Sequence, residues 1–439
     1  MAVARTGRLS RREFLRGAAL AAGSLAAAPY VLTSTALGGE GRPPASERVT
    51  VGFIGTGGRG TDLLRNFTGL GDVQGVAACD VKRPARDNAC RLINERYGNK
   101  DCATYVDLRE LLARPDVDAV TVATTDHWHV LAALTAVRAG KDVYCEKPLG
   151  LSVEQGQVLR RAVQQYGRVF QFGTQERSSW QTRFACEMIL SGWVGKIHTV
   201  KVGSRYSSAS GNYPPAPVPD WLDYDLWLGP APWAPFCEQR VSNSHWFHIS
   251  DYALGFLAGC GIHTVDMAQW GNGTDLTGPI EVEGTGTYPR DGLCDCATDW
   301  DVNLRFANGV TMNFTDGKRN PLGVRFEGTD GWVFVLETHL GGGVDAHPKS
   351  LLRRPLGPDD VHLPVSNHHQ QNFIDCVKSR ARTVAPVEIA VRSDQICQLT
   401  DIAARLGRKL KWDPDREVFV GDDEANRMLT RPMRSPWRL

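Results

Sequence analysis

Net charge is almost absent from this 439-residue sequence: 50 lysines and arginines stand against 49 aspartates and glutamates, for a formal charge of +1. With no basic excess there is no electrostatic basis for binding nucleic acid or an anionic membrane surface. A cysteine framework is missing too. The 11 cysteines are scattered and odd in number, which does not make a disulfide framework in a chain of this size. Cys79 and Cys145 fall in presumed strands and read as buried thiols. Cys294 and Cys296 are the close pair, but no second histidine or cysteine pair completes a zinc ligand set, so no metal is expected. There is no long hydrophobic run. The weakly apolar stretch 18–37 is too rich in Ala, Gly and Ser, and too short, to be read as a membrane span. Beyond it there are no internal repeats or low-complexity tracts. At 42% hydrophobic and 23% charged residues, the chain can bury two ordinary cores.

The amino terminus bears on location. Ser10, Arg11, Arg12, Glu13, Phe14 and Leu15, with Arg16 next, match a twin-arginine export signal. Residues 1–37 are expected to form that signal, with cleavage near Ser34, Thr35 and Ala36, and residues 38–46 a linker. The expected location is periplasmic or otherwise exported. That route carries proteins already folded.

Residues 47–173 alternate strands with helical patterns, which predicts parallel β-α-β units with right-handed crossovers. Val49–Ile54 reads as a buried strand. Gly55, Thr56, Gly57, Gly58, Arg59 and Gly60 then give G-x-G-x-x-G at the mouth of a helix carrying Leu63, Leu64 and Phe67. In such a loop the first glycine permits the turn, the second admits the pyrophosphate and the third lets helix and sheet pack, while helix amides bind the anion. Asp80 closes the strand Val73–Cys79, 20 residues past Gly60, where a carboxylate binds ribose hydroxyls and favours NAD. Lys82 and Arg83 follow at once and offer an alternative reader for the 2′-phosphate of NADP. A short helix, Leu108–Leu112, an apolar strand over 118–123, a helix over 129–139 and a strand over 142–145 continue the pattern. Thr124, Asp126, Trp128 and His129, in the turn after the 118–123 strand, are placed to line the cofactor ribose. Cys145, Glu146, Lys147 and Pro148 end the next strand, and packing alone explains a lysine there poorly. Ligands bind such sheets beyond the carboxyl ends of the strands, where Gly55, Asp80, Thr124 and Glu146 all fall.

From about Thr174 the texture changes to period-two alternation, with Asn308-Gly309 and Asp330-Gly331 between runs, the mark of antiparallel hairpins. The fold class is thus an α/β Rossmann amino-terminal domain plus an α+β carboxyl-terminal domain, residues 174–410, with an open, mostly antiparallel sheet. Helices over 367–379 and 391–406 return to pack on it, and 411–439 reads as a polar, proline-containing tail. Residues 242–266 form the candidate substrate wall. Aromatics such as Trp246 and Tyr252 offer sugar C–H faces an apolar platform, and His245, His248 and Asn243 serve hydroxyls. A carbohydrate or polyol fits.

Taken together, the GTGGRG loop, Asp80, TTDHWH at 124–129, CEKP at 145–148, GTQ at 173–175 and GIHTVD at 261–266 resemble the Gfo/Idh/MocA family, the glucose-fructose oxidoreductase and inositol dehydrogenase group. The resemblance covers nearly all of the chain after Arg48. It implies that Lys147 lies beside the nicotinamide and the substrate hydroxyl, that Gln175 stands near the nicotinamide, and that His263 is the acid-base histidine. It also implies subunit pairing through the far face of the sheet, hence a homodimer or tetramer. An imidazole of near-neutral pKa can take a hydroxyl proton as hydride leaves the same carbon. Gly259 departs from the inositol dehydrogenase pattern, which has an aspartate four residues before the histidine.

The expected function is an NAD(P)-dependent oxidoreductase acting on a secondary hydroxyl of a sugar, polyol or glycoside, with retained cofactor. The alternative is an NAD-dependent glycosidase that oxidises, eliminates, adds water and reduces again; Tyr213, His248 or Tyr252 would be its second base. A non-catalytic binding protein on a Rossmann scaffold is the third reading.

Overall fold

The computed structural model describes Gly38 and residues 42–439. The twin-arginine signal and residues 39–41 of the linker lie outside the described residues. Chain contacts separate residues up to Arg48 from the unit Val49–Leu439, and the latter carries both sheets.

Six parallel strands form the first sheet: β1 (Val49–Ile54), β2 (Val73–Cys79), β3 (Ala103–Tyr105), β4 (Ala119–Val122), β5 (Asp142–Cys145) and β6 (Phe170–Phe172). Their order is β3-β2-β1-β4-β5-β6, so the winding reverses between β1 and β4. A crevice opens at such a reversal, beyond the carboxyl ends of the strands. β4 and β5 are buried along their whole length, as parallel strands covered on both faces must be. The helices that cover them start and stop on local signals. Ser152 caps helix Val153–Tyr166 by accepting from the Gln155 amide, and Gly167 ends it at φ +58°, where a side chain would be strained. The helix after β4 begins at Asp126, three residues earlier than the apolar pattern suggests, so Asp126, Trp128 and His129 sit in its first turns.

The second sheet has nine strands, ordered β13-β12-β11-β7-β10-β9-β8-β14-β15. They are β7 (Ile197–Ser204), β8 (Glu281–Thr287), β9 (Asp299–Arg305), β10 (Thr311–Asp316), β11 (Gly323–Gly328), β12 (Trp332–Val335), β13 (Val344–His347), β14 (Leu410–Asp413) and β15 (Val418–Phe419). All pairings are antiparallel except β7 with β10. Val200, Val202, Val302, Leu304 and Phe314 face the core, with helices Gly261–Gly271 and Val387–Leu406 packed against this sheet. The alternate positions carry polar pairs such as Lys201 with Glu327 at 3.0 Å and Asn313 with Asp301 at 2.9 Å.

Two expectations change. Residues 411–439 are no tail: β14 and β15 extend the sheet, helix Asp423–Arg427 follows, and Trp412, Phe419 and Leu429 are buried. Polar and proline-rich composition masks these few apolar anchors. The other change concerns helix His369–Ser379, which leaves the second domain and sets Phe373 edge-on against Phe67 and Tyr144 of the first, each with ring centroids 6.0 Å apart. Among the described residues no helix is long and apolar enough to cross a membrane.

Candidate active site

A cavity of about 410 Å3 occupies the crevice. Its floor is the glycine loop. Gly55 has φ +78°, and a Cβ on Gly60 would come within 1.9 Å of the Gly55 carbonyl oxygen, so both positions demand glycine. Around Gly57 and Gly58 a Cβ would meet nothing within 4 Å, because these two glycines face open space in the cavity wall. Helix Gly58–Gly69 starts at Gly57 with no side chain capping its amides. Free amides beside an open cradle are what a pyrophosphate requires, so the residues present fit a dinucleotide.

Asp80 is fixed at the far end. Its Oδ2 accepts from the Thr56 amide at 2.7 Å and its Oδ1 from the Lys82 amide at 2.8 Å. Burial pushes its carboxyl above the ordinary value, with those amides pulling the other way. The two candidate phosphate readers differ in freedom: Lys82 Nζ donates to the Val241 carbonyl at 2.8 Å, while Arg83 is exposed at a helix start.

At the other end, Glu146 is the hub. Its Oε1 accepts from Arg59 Nε at 2.8 Å and from Gln175 Nε2 at 3.1 Å, and Gln175 also donates to the Tyr144 hydroxyl at 3.0 Å. Arg59 and Gln175 therefore both hold Glu146. Gly173 makes room, since a Cβ there would press on Glu146 at 3.0 Å. Lys147 Nζ donates to the Gly259 carbonyl at 2.6 Å, tying the strand end of the first domain to the end of helix Gly255–Gly259 in the second. Asp126 lines the same cavity, with a buried Oδ2 that has no hydrogen-bond partner; burial raises its carboxyl well above the ordinary value, and Lys147 opposes this.

His129 and Trp128 act as structural ties. The His129 ring bridges the Pro148 carbonyl at 2.6 Å and the Thr124 carbonyl at 3.1 Å. Trp128 Nε1 donates to the Leu226 carbonyl at 3.0 Å, and Gly229, at φ +50°, lets that loop approach, since a Cβ would meet the indole at 2.3 Å. Trp128, Trp246 and Phe247 all line the cavity, the last two stacked with centroids 3.7 Å apart.

His263, 8% exposed, has an Nδ1 that is buried without a partner. Burial first, then the charge of Lys147, pushes its imidazole well below its ordinary pKa, so it is a neutral base near pH 7. Asp266, three residues on, does not serve it. That carboxylate is clamped by Arg177 at 2.8 and 2.9 Å and by Ser393 at 2.7 Å.

The remaining substrate-wall residues scatter. Tyr213 and His245 hydrogen-bond each other at 3.0 Å. His248 is buried against Phe256, with ring centroids 4.8 Å apart, and its Nδ1 has no partner. Tyr252 is fully buried between His127 and Trp227, and its hydroxyl accepts from Arg240 at 3.2 Å, so it belongs to a core cluster and not to the cavity wall. The expectation that it touches substrate is corrected: its aromatic bulk is used in packing. Glu337 and His339, in the turn after β12, belong to no motif, yet the His339 ring centroid lies 6.0 Å from that of His263. The local signal was an ionisable pair ahead of the glycine run 341–343.

Residues 49–174 match the family model described as oxidoreductase family, NAD-binding Rossmann fold, and residues 190–439 match oxidoreductase family, C-terminal alpha/beta domain. Among curated relatives, a glycosyl hydrolase family 109 protein of Shewanella sp. (strain MR-4) is 33% identical over 161 residues, which is 34% of this chain and 35% of that protein. An alpha-N-acetylgalactosaminidase of Shewanella oneidensis is 32% identical over the same length and the same shares. The chain thus spans about a third of the length of the curated relatives it matches. The fold is shared with the aldose-aldose oxidoreductase of Caulobacter crescentus, with a TM-score of 0.62 and 19% identity over 83% of this chain and 99% of that one. With both halves matched along their length, the chain belongs to the Gfo/Idh/MocA oxidoreductase family.

Proposed function

We propose that this protein retains NAD in the cavity and oxidises a secondary hydroxyl of a sugar, polyol or glycoside. The observation that carries this reading is that the open glycine cradle, Asp80 and Lys147 line one cavity. Gly57, Gly58 and the helix amides would hold the pyrophosphate, Asp80 the ribose, and Glu146 and Lys147 would flank the nicotinamide. When bound, that ring supplies the hydride acceptor. Lys147 donates a hydrogen bond to the substrate oxygen, taking it from the Gly259 carbonyl, and neutral His263 removes the hydroxyl proton. Asp80 repels a 2′-phosphate and Lys82 is engaged elsewhere, which favours NAD over NADP. The twin-arginine pattern supports export of the folded, loaded protein, where no free NAD pool exists and the cofactor must be recycled on the protein. A homodimer or tetramer paired through the polar sheet face is part of the same reading.

The test is to denature the purified protein and identify the released nucleotide, with its oxidation state before and after incubation with a sugar panel. Lasting reduction by one sugar supports net oxidation; release of no dinucleotide overturns the proposal. The second reading, redox-neutral glycoside cleavage on bound NAD, is favoured by the glycosidase names of the partial relatives and by Gly259 at the position of the expected aspartate.

A further inference from the structure

The turn between β12 and β13 belongs to no motif, yet it sets two ionisable groups beside His263. Gly341, Gly342 and Gly343 all have positive φ, so the chain folds back: Gly342 donates to the Glu337 carbonyl and Leu336 to the Gly343 carbonyl, each at 3.0 Å. Glu176 anchors the tip, accepting from the Thr338 amide at 2.9 Å. Glu337 is 2% exposed, and its Oε2, which has no hydrogen-bond partner, lies 3.2 Å from His339 Nδ1. The His339 side chain is 48% exposed, and its ring centroid lies 6.0 Å from that of His263. Two imidazoles at that separation can address neighbouring atoms of one small molecule. A buried polar atom left unpaired costs about 1–3 kcal/mol, and the lone Nδ1 of His263 marks this spot as one where a ligand completes the contacts. Tyr213 and Tyr252 do not compete for the role, being tied to His245 and Arg240.

We propose that His339, with the Glu337 carboxyl beside it, is a second proton-transfer residue of this site, acting on the carbon next to the carbonyl that oxidation creates. This rests on the oxidation reading above. In the step, the C–H bond beside the new carbonyl breaks, its proton passes to His339, and its electron pair becomes the C=C bond of an enolate whose oxygen Lys147 holds. No oxidant is needed, because the two electrons of oxidation have already left as hydride. Glu337 acts through His339, by its charge. The groups facing His339 are Glu337, Lys147, His263 and Arg205, with Glu176 behind Glu337.

The experiment uses the full chain with its bound nucleotide in heavy water, offered the D-aldohexoses and their methyl glycosides. Two quantities are read: reduction of bound nucleotide, and deuterium at the carbon adjacent to the oxidised one in the recovered sugar. His339→Asn should lower the ratio of exchange to reduction by about 100-fold, the scale of a lost acid or base, whereas His263→Asn should lower both. Burial and Glu176 push the Glu337 carboxyl up to about 8, so wild-type exchange should climb as pH rises through that value and Glu337→Gln should flatten the climb. Reduction without deuterium in the wild type, or an unchanged ratio in His339→Asn, overturns the second proton transfer alone. Failure of every sugar to reduce the nucleotide overturns the oxidation reading together with it.

Discussion

The proposed cofactor and hydroxyl ends of the site are built on opposite principles. At the cofactor end, apart from the cradle amides and Asp126 Oδ2, the polar groups are matched: Asp80 accepts two amides, Glu146 accepts Arg59 and Gln175, and the His129 ring spans two carbonyls. At the hydroxyl end the matching stops. His263 Nδ1 is buried without a partner, and the Lys147 ammonium rests on a single backbone carbonyl. A dinucleotide site can be rigid before its ligand arrives, because phosphate and ribose are met by backbone amides and one carboxylate. An acid-base site must keep donors and acceptors available for a substrate, and so carries unpaired groups that a purely structural core would not tolerate.

Breaking the scaffold between the two ends should give the largest effect. Asp266→Ala leaves Arg177, 2% exposed, with Asp275 as its remaining carboxylate, and should cost about 3 kcal/mol of stability in denaturant titration. A loss of activity with unchanged stability would instead make Asp266 a reacting group. Next come the glycines, which sharpen the contrast between fold and ligand. Gly60→Ala collides with the Gly55 carbonyl and should destabilise the protein by about 1–3 kcal/mol, whereas Gly57→Ala, with open space around it, should leave the melting temperature intact and weaken NAD. Equal melting losses in both would mean the cradle is not open. Asp80→Ala should weaken NAD more than NADP by calorimetry on apoprotein, since a ribose acceptor and a repulsive charge vanish together; equal losses would point to Lys82 and Arg83 as the readers. The smallest effect belongs to Tyr252→Phe. Losing the Arg240 hydrogen bond should cost about 1 kcal/mol and leave sugar saturation unchanged. A raised KM would return Tyr252 to the substrate wall.

The same contrast explains what could be read in advance. β1, β2 and the short helix Leu108–Leu112 are legible to the residue because a buried parallel strand or a glycine loop is a local pattern. The carboxyl-end residues Gly55, Asp80, Thr124 and Glu146 converge for the same reason: strand order alone brings them to one edge. The hydroxyl end is assembled by tertiary packing. Gly259 meets Lys147 across 112 positions of sequence, and Glu176 meets Thr338 across 162, separations that no periodicity announces. Tyr252 was misread because an aromatic beside histidines looks the same in sequence whether it faces a sugar or a core. The anchors Trp412 and Phe419 were hidden by their polar neighbours.

The most direct test of the central proposal, that one site joins retained NAD to hydroxyl chemistry, is single-turnover reduction of the retained nucleotide in Lys147→Ala and His263→Ala. Both variants should keep their nucleotide and their fold while reduction by the responsive sugar slows by about 100-fold or more. Wild-type rates in both would contradict the account.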